Sequence, residues 1–121
     1  MYRARGSPYG PSKAGHEALM ATMAQELEGT GVTANVLVPG GMANTNLLAP
    51  GGPSRDAMIQ PVVMQAPVVW LASEASNGTN GRRFIAYDWD EALPLEERIA
   101  HASAPCAWPQ LGLQSRRPPG G

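Results

Sequence analysis

The chain has 121 residues, of which 43% are hydrophobic and 16% charged, and its formal net charge is −1. This composition is typical of one small globular domain, and the near-neutral charge argues against a nucleic-acid partner, which would need a basic surface to displace counterions from phosphates. The single cysteine excludes an internal disulfide.

Two further features of the sequence predict where the protein resides. The first ten residues, MYRARGSPYG, lack the apolar core of a secretory signal, and no apolar run reaches membrane-spanning length. A chain without disulfides suits a reducing compartment. We therefore expect a cytoplasmic protein with no membrane partner.

The first predicted element is a helix from Ser12 to Glu28, a segment without internal proline. Small residues fill its first half, so that half can approach another backbone closely. Gly29 and Gly31 are stop signals for a helix. The spacing of four apolar residues predicts one packed stripe on the helix, formed by Leu19, Met20, Met23 and Leu27.

A strand is predicted next, from Val32 to Val38. Its nearly continuous apolar character is typical of a parallel strand covered on both faces. Asn35 is the polar exception and needs hydrogen-bond partners if it is buried. The run Pro39-Gly40-Gly41 ends this strand.

The rest of the chain alternates in the same way. A helix is predicted from Ala57 to Ser73, interrupted or kinked at Pro61 and Pro67. A second strand is expected from Arg82 to Asp88, and a short last helix from Leu95 to Ala102.

Alternating helices and strands predict an α/β fold with parallel strands joined by crossovers. Two strands make a poor sheet, however, which suggests that the chain is part of something larger. We assign residues 1–101 to a partial domain. Residues 102–121, which are rich in proline and glycine, are predicted to form a disordered tail.

The chemistry of the chain centres on the segment Tyr9-Gly-Pro-Ser-Lys13, which contains the only lysine. Residues four apart share a helix face, so both side chains can point into one pocket. An ammonium beside a phenol favours the phenolate form. At about 6 Å the attraction is roughly 2.8 kcal/mol for an effective dielectric of about 20, but only about 0.7 kcal/mol in water. The pair can therefore act together only in a partly dry site.

The order of these segments resembles the second half of the short-chain dehydrogenase/reductase family. The resemblance rests on Tyr9-Gly-Pro-Ser-Lys13-Ala14, on the strand that ends Asn35-Val-Leu-Val-Pro39-Gly40, and on Trp70-Leu-Ala-Ser-Glu-Ala-Ser76 with the later Asn80-Gly81-Arg-Arg-Phe84. It implies the C-terminal portion of a Rossmann-like, doubly wound parallel sheet, whose N-terminal nucleotide-binding half is missing.

The family's site residues can be carried over position by position. Tyr9 would be the catalytic acid or base at a substrate carbonyl or alcohol. Lys13 would favour its phenolate form and hold the ribose of the nicotinamide cofactor, NAD or NADP. Pro39 and Gly40 would lie against the nicotinamide ring.

The next contact with the cofactor would come from the polar residues beyond this turn. The family usually has Pro-Gly-x-x-x-Thr, whereas this chain reads Pro39-Gly-Gly-Met-Ala-Asn-Thr45. Because the threonine stands one place late, either Asn44 or Thr45 could serve. Asn35 would be structural and would tie the strand to a loop.

Other parts of the family pattern are not found in this sequence. Only eight residues precede Tyr9, and Ser7 is too close to it to be the family's catalytic serine. No strand followed by a glycine-rich loop precedes Tyr9 either. We therefore expect a truncated reductase whose isolated chain is inactive.

Two functional classes remain open. One is an oxidoreductase by descent, acting on a small carbonyl or alcohol substrate; the other is a non-catalytic fragment or interaction module that reuses the scaffold. In the family the helix over residues 12–28 commonly packs in a subunit interface, so it could form a homo-oligomer here. No metal is expected, since His16, His101 and Cys106 lack metal-ligand spacing.

Overall fold

The computed structural model describes residues 7–48, 50 and 53–108. Its first element, helix α1, spans Tyr9–Glu26 and so begins before the predicted start at Ser12. Pro11 is compatible with this start because it lies in the first helical turn, where backbone N–H groups have no partner within the helix. The glycines that follow, Gly29 and Gly31, adopt positive φ angles of 78° and 83°, as the stop signals predict.

The packed face of α1 differs from the predicted apolar stripe. Its buried residues are Gly10, Glu17 and Ala24, whereas Leu19 and Met23 are exposed. The small side chain of Ala24 lets the helix approach the turn before the second strand closely, since a Cβ added at Gly81 would lie 3.4 Å from the Ala24 Cβ. Two members of the predicted stripe therefore face solvent, on a surface that also carries Lys13, His16 and Glu26.

The sheet has three strands in the order β1 (Val36–Val38), β2 (Arg82–Ile85) and β3 (Ser103–Pro105). Strands β1 and β2 are parallel, as predicted, with Leu37 opposite Phe84. Strands β2 and β3 are antiparallel, with Arg83 opposite Ala104. The observed fold is thus a small α/β unit with a mixed sheet, compatible with part of a Rossmann-like fold, and the expectation of parallel strands throughout was wrong for β3.

Strand β1 is shorter than the predicted Val32–Val38. Val32 is exposed, and Ala34, before the strand, bonds to the turn that precedes β2: its N–H donates to the Asn80 Oδ1 at 2.8 Å and its carbonyl accepts from the Gly81 N–H at 2.9 Å. Asn35 donates to the carbonyl of Thr79 at 2.7 Å and accepts from the backbone N–H of Arg82 at 3.0 Å. The predicted structural role of Asn35, joining strand and loop, is confirmed.

The segment between β1 and β2 contains two 3₁₀ turns and one short helix rather than the continuous predicted helix from Ala57 to Ser73. The turns span Arg55–Ala57 and Pro61–Met64, and helix α2 spans Gln65–Leu71. Pro61 begins the second turn, and Pro67 lies in the first turn of α2. Both prolines occupy positions that tolerate a missing N–H, which explains why the helical segment is broken there.

After Glu74–Ser76, a third 3₁₀ turn, comes β2, which ends at Ile85 because Ala86–Asp88 form a fourth turn. Helix α3 spans Leu95–Ala102, as predicted.

The predicted disordered tail from residue 102 is wrong at its start. Ala102 and Cys106 are buried, and Ser103–Pro105 form β3. The side chain of Arg82 donates to the Ser103 hydroxyl at 2.8 Å, which supports the pairing of β3 with β2. Proline is tolerated because β3 is an edge strand. The rest of the predicted tail, residues 109–121, lies outside the described residues.

The core lies between β2 and the helices α2 and α3. Phe84 is fully buried, with the Trp70 and Trp89 ring centroids at 5.8 and 6.2 Å, and the two tryptophan centroids are 5.1 Å apart. Ala102 completes the buried cluster. Among the described residues, the helices include none with the length and apolar character needed to cross a bilayer.

Candidate functional site

Tyr9 and Lys13 lie together on the first turns of α1. The Lys13 Nζ is 5.7 Å from the centroid of the Tyr9 ring, a distance at which a cation and an aromatic ring attract each other. The start of the helix is further supported by Ser12, whose hydroxyl donates to the Tyr9 carbonyl at 2.7 Å. The spacing of four residues thus brings the two side chains to one face, as the sequence predicted.

The surroundings of this pair are open to solvent. Tyr9 is 63% exposed, and Lys13 is also exposed. Water screens the interaction between exposed charged or polar groups and weakens it. The partly dry environment that strong coupling between phenol and ammonium would need is therefore not supplied by the described residues around them.

The turn after β1 places Pro39 and Gly40 against the end of β2. The Pro39 carbonyl accepts a hydrogen bond from the Tyr87 N–H at 3.1 Å. Gly40 has φ 109°, and a Cβ there would lie 2.8 Å from the Ile85 Cγ2 and 3.1 Å from the Tyr87 Cβ. This turn therefore requires glycine for both its backbone angle and its close packing.

Asn44 lies next to a short parallel bridge between Ala43 and Ile59. Its backbone N–H donates to the Ile59 carbonyl at 2.9 Å, and its side-chain amide donates to the Gln60 Oε1 at 3.0 Å. The side chain of Asn44 is therefore held in the loop, and Thr45 follows it on the exposed surface.

Arg55 was not identified from the sequence, yet it organises this loop. Its Nη1 donates to the Asn44 Oδ1 at 3.1 Å and to the Thr45 carbonyl at 2.6 Å, and its Nη2 donates to the Leu48 carbonyl at 3.4 Å. One guanidinium thus fixes both residues that were predicted to reach the cofactor. No local sequence pattern predicts this role, because Arg55 lies in a polar loop and the residues around it show no distinctive spacing.

The structure brings the predicted site residues together in two groups. Tyr9 and Lys13 form the first, on α1, and the second follows β1, with Pro39, Gly40, Asn44 and Thr45. Within the part of the chain that the structure describes, no hydrogen bond, ion pair or ring contact joins the two groups. The same described residues contain no cluster of three or more His, Cys, Asp or Glu side chains that could hold a metal.

Chemically, the first group offers a phenol that can donate or accept a proton and an ammonium with three donors. The second offers a glycine turn beside a loop carrying amide, hydroxyl and guanidinium groups. The Lys13 ammonium is exposed and lies over the Tyr9 ring. Lys13 can therefore donate a hydrogen bond to a hydroxyl-bearing ligand at this end of the helix.

Comparison with known proteins supports the interpretation of this region. Residues 1–55 match the family model described as short chain dehydrogenase, which covers both groups of site residues. No curated protein and no solved structure matches the chain significantly. The match ends before the Trp70–Phe84 segment, so the resemblance noted there has only the sequence pattern to support it.

Proposed function

We propose that the chain carries part of the active site of an NAD(P)-dependent oxidoreductase, because residues 1–55 match the family model described as short chain dehydrogenase. The observation that carries the proposal is the position of the Lys13 Nζ, 5.7 Å from the centre of the Tyr9 ring, inside the matched segment. The substrate would be a small molecule with a carbonyl or alcohol group.

In the proposed reaction Tyr9 handles the proton. Its phenol gives a proton to the carbonyl oxygen of the substrate during reduction, and the phenolate takes the proton back from the alcohol during oxidation. When bound, the cofactor supplies or accepts the hydride. In a site that further protein closes off from water, Lys13 would favour the phenolate form electrostatically and would donate a hydrogen bond to the cofactor's ribose.

The loop after β1 would bind the rest of the cofactor. Pro39 and Gly40 would face the nicotinamide, and Asn44 or Thr45 would reach its carboxamide or phosphate. Arg55 supports this assignment, since it holds the side chain of Asn44 and the backbone of Thr45 in place. Whether the cofactor is NAD or NADP depends on features outside these residues.

The 121-residue chain alone is proposed to bind cofactor weakly and to show no turnover. The support is the 63% exposure of Tyr9, which leaves its phenol in water, where the ammonium has little influence on it. A protein that buries this face would supply the drier site. The exposed side chains of Leu19 and Met23 on α1 would suit contact with a second copy of the chain.

A second candidate function is a non-catalytic interaction module built on the same scaffold. The same exposure of Tyr9 favours it, because an open phenol suits a contact surface as well as an unfinished active site. The two candidates differ in one property, the binding of a nicotinamide dinucleotide that depends on Lys13.

The test is saturation-transfer NMR with NADH and NADPH at millimolar concentration, on the wild type, Lys13→Met, Lys13→Arg and Tyr9→Phe. We expect weak binding that Lys13→Met abolishes, that Lys13→Arg partly retains and that Tyr9→Phe leaves in place. Turnover of small aldehydes and ketones is followed in parallel by cofactor absorbance. Binding that Lys13→Met does not change would refute the assigned site, and no binding of either nucleotide would favour the interaction module.

A further inference from the structure

Glu17 lies on the same side of α1 as the proposed active pair. It follows Lys13 by four residues and Tyr9 by eight, so the three side chains succeed one another along one side of the helix. The side chain of Glu17 is only 7% exposed. A carboxylate is seldom buried to this extent unless it is paired. The contacts of the Glu17 side chain therefore indicate its role.

Both carboxylate oxygens of Glu17 have partners from distant parts of the chain. The Oε2 is 3.3 Å from the Nε of Arg83 on β2. The Oε1 accepts a hydrogen bond from the backbone N–H of Ala107 at 3.2 Å. The backbone carbonyl of Glu17 also accepts a weak hydrogen bond from the Cys106 Sγ, at 3.4 Å. One residue thus joins the helix, the sheet and the segment after β3.

We call residues 103–107 the C-terminal strap. Its first part is β3, and the Cys106 N–H donates to the Gly81 carbonyl at 2.8 Å. The strap then turns at Ala107, which adopts a positive φ of 58°. This angle is unfavourable for alanine, and the Ala107 N–H donates to the Glu17 carboxylate. The strap is therefore held on α1 by the Glu17 carboxylate and carbonyl.

The other tertiary hydrogen bond to α1 in the described structure lies near the far end of the helix, where Asn80 donates to the Ala24 carbonyl at 2.7 Å. The turn that carries Tyr9 and Lys13 makes its hydrogen bonds and its ring contact with other residues of α1 and with Pro8, which precedes the helix. Among the hydrogen bonds and ion pairs that join α1 to other elements of the described structure, those of Glu17 are thus the nearest to Tyr9 and Lys13.

We propose that Glu17 is a positioning residue, which fixes the turn carrying Tyr9 and Lys13 relative to the sheet by binding Arg83 and the C-terminal strap. The relevance to catalysis rests on the proposed function. The attachment of α1 through Glu17 does not rest on the proposed function. The tests below can therefore disprove the attachment without disproving the proposed function, and the reverse also holds.

The first test uses Cys106, the only cysteine, as a reporter of strap opening. Its side chain is buried, so a thiol reagent reacts only when the strap leaves α1. We expect Glu17→Gln to raise the labelling rate about tenfold or more, since hydrogen bonds to a charged group are lost. Glu17→Asp keeps the charge, and its labelling rate should lie between those of the wild type and Glu17→Gln. Glu26→Gln, an exposed change on the same helix, is the matched control and should label like the wild type.

The second test measures amide hydrogen exchange in the same variants. Positioning predicts faster exchange in Glu17→Gln at residues 12–16 and at Ala107, with exchange in α3 unchanged and with partial recovery in Glu17→Asp. An equal acceleration in α3 would mean general destabilisation and would overturn the proposal, as would labelling of Glu17→Gln at the rate of Glu26→Gln. If Glu17→Gln does not fold, Glu17→Asp is compared with Glu26→Asp, and equal labelling of those two contradicts the proposal.

Discussion

The side chain of Asn80 joins the end of α1 to the segment before β1. Its amide donates to the Ala24 carbonyl at 2.7 Å, and its Oδ1 accepts from the Ala34 N–H at 2.8 Å. Ala24 and Ala34 are both buried, and backbone groups of buried residues need hydrogen-bond partners within the protein. One residue in the turn before β2 thereby satisfies two backbone groups from separate elements.

Asn80→Ala should lower the free energy of unfolding by about 1–3 kcal/mol, because it leaves both backbone groups without their partner. Urea unfolding followed by tryptophan fluorescence measures this change. Asn77→Ala, in an exposed position of the preceding turn, is the control and should stay within about 0.5 kcal/mol of the wild type. Equal stability of the two variants would show that the Asn80 hydrogen bonds contribute nothing net.

Two glycine-to-alanine changes should have opposite effects. Gly40→Ala should destabilise the protein by about 1–3 kcal/mol, because its backbone has φ 109° and the new Cβ would lie 2.8 Å from Ile85. Gly15→Ala lies inside α1, with nothing within 4 Å of the added Cβ, and should stabilise by about 0.5–1 kcal/mol. Thermal unfolding of both variants provides the comparison, and a Gly40→Ala protein as stable as the wild type would contradict the described turn.

Phe84→Ala should cost about 3–5 kcal/mol, since it removes a fully buried ring from contact with Trp70 and Trp89. The near-ultraviolet circular dichroism of the tryptophans should weaken at the same time, because their packing against Phe84 is lost. Tyr87→Ala, an exposed aromatic three positions later, is the control. A similar loss of stability in both variants would argue against a core centred on Phe84.

Stability should fall at alkaline pH because of Cys106. Burial, and secondly the negative charge of Glu17, raise the pKa of the Cys106 thiol. The unfolded thiol ionises near its usual pKa of about 8.5, while the folded one keeps its proton, so the contribution is complete below that pH and is lost as pH rises through the raised pKa.

Cys106→Ala should therefore show a smaller loss of stability between about pH 8 and pH 10 than the wild type. The measurement is urea unfolding at several pH values across that range. The slopes of unfolding free energy against pH are compared, because lost packing at the mutated site lowers stability equally at every pH. Parallel slopes for the two proteins would contradict the prediction.

The sequence predicted the elements whose signals are local. Helix α3 was placed correctly from Leu95 to Ala102, and β2 was placed correctly at its start, where the Asn80-Gly81 turn precedes it. The spacing of Tyr9 and Lys13 likewise predicted their shared face. Such features depend on residues a few positions apart.

The features that the sequence could not predict depend on distant partners. Glu17 does not belong to the predicted apolar stripe, yet it is buried and paired with Arg83 and Ala107, neither of which is near it in the chain. The prediction that the apolar stripe of α1 packs against the protein was wrong for the same reason. No neighbouring residue in the sequence indicates that the Glu17 carboxylate, rather than Leu19, lies on the packed face. Strand β3 was missed because proline and glycine dominate the composition around it, although its edge position tolerates Pro105.

The position of β1 has a consequence for how the protein behaves at high concentration. Within the described chain, Val36–Val38 pair with β2 on one side and form the outer boundary of the sheet on the other. A short β-branched segment at such a boundary can accept another extended peptide through its main chain. Samples should therefore shift to larger hydrodynamic size on concentration, and a charged residue at Val38 should reduce that shift.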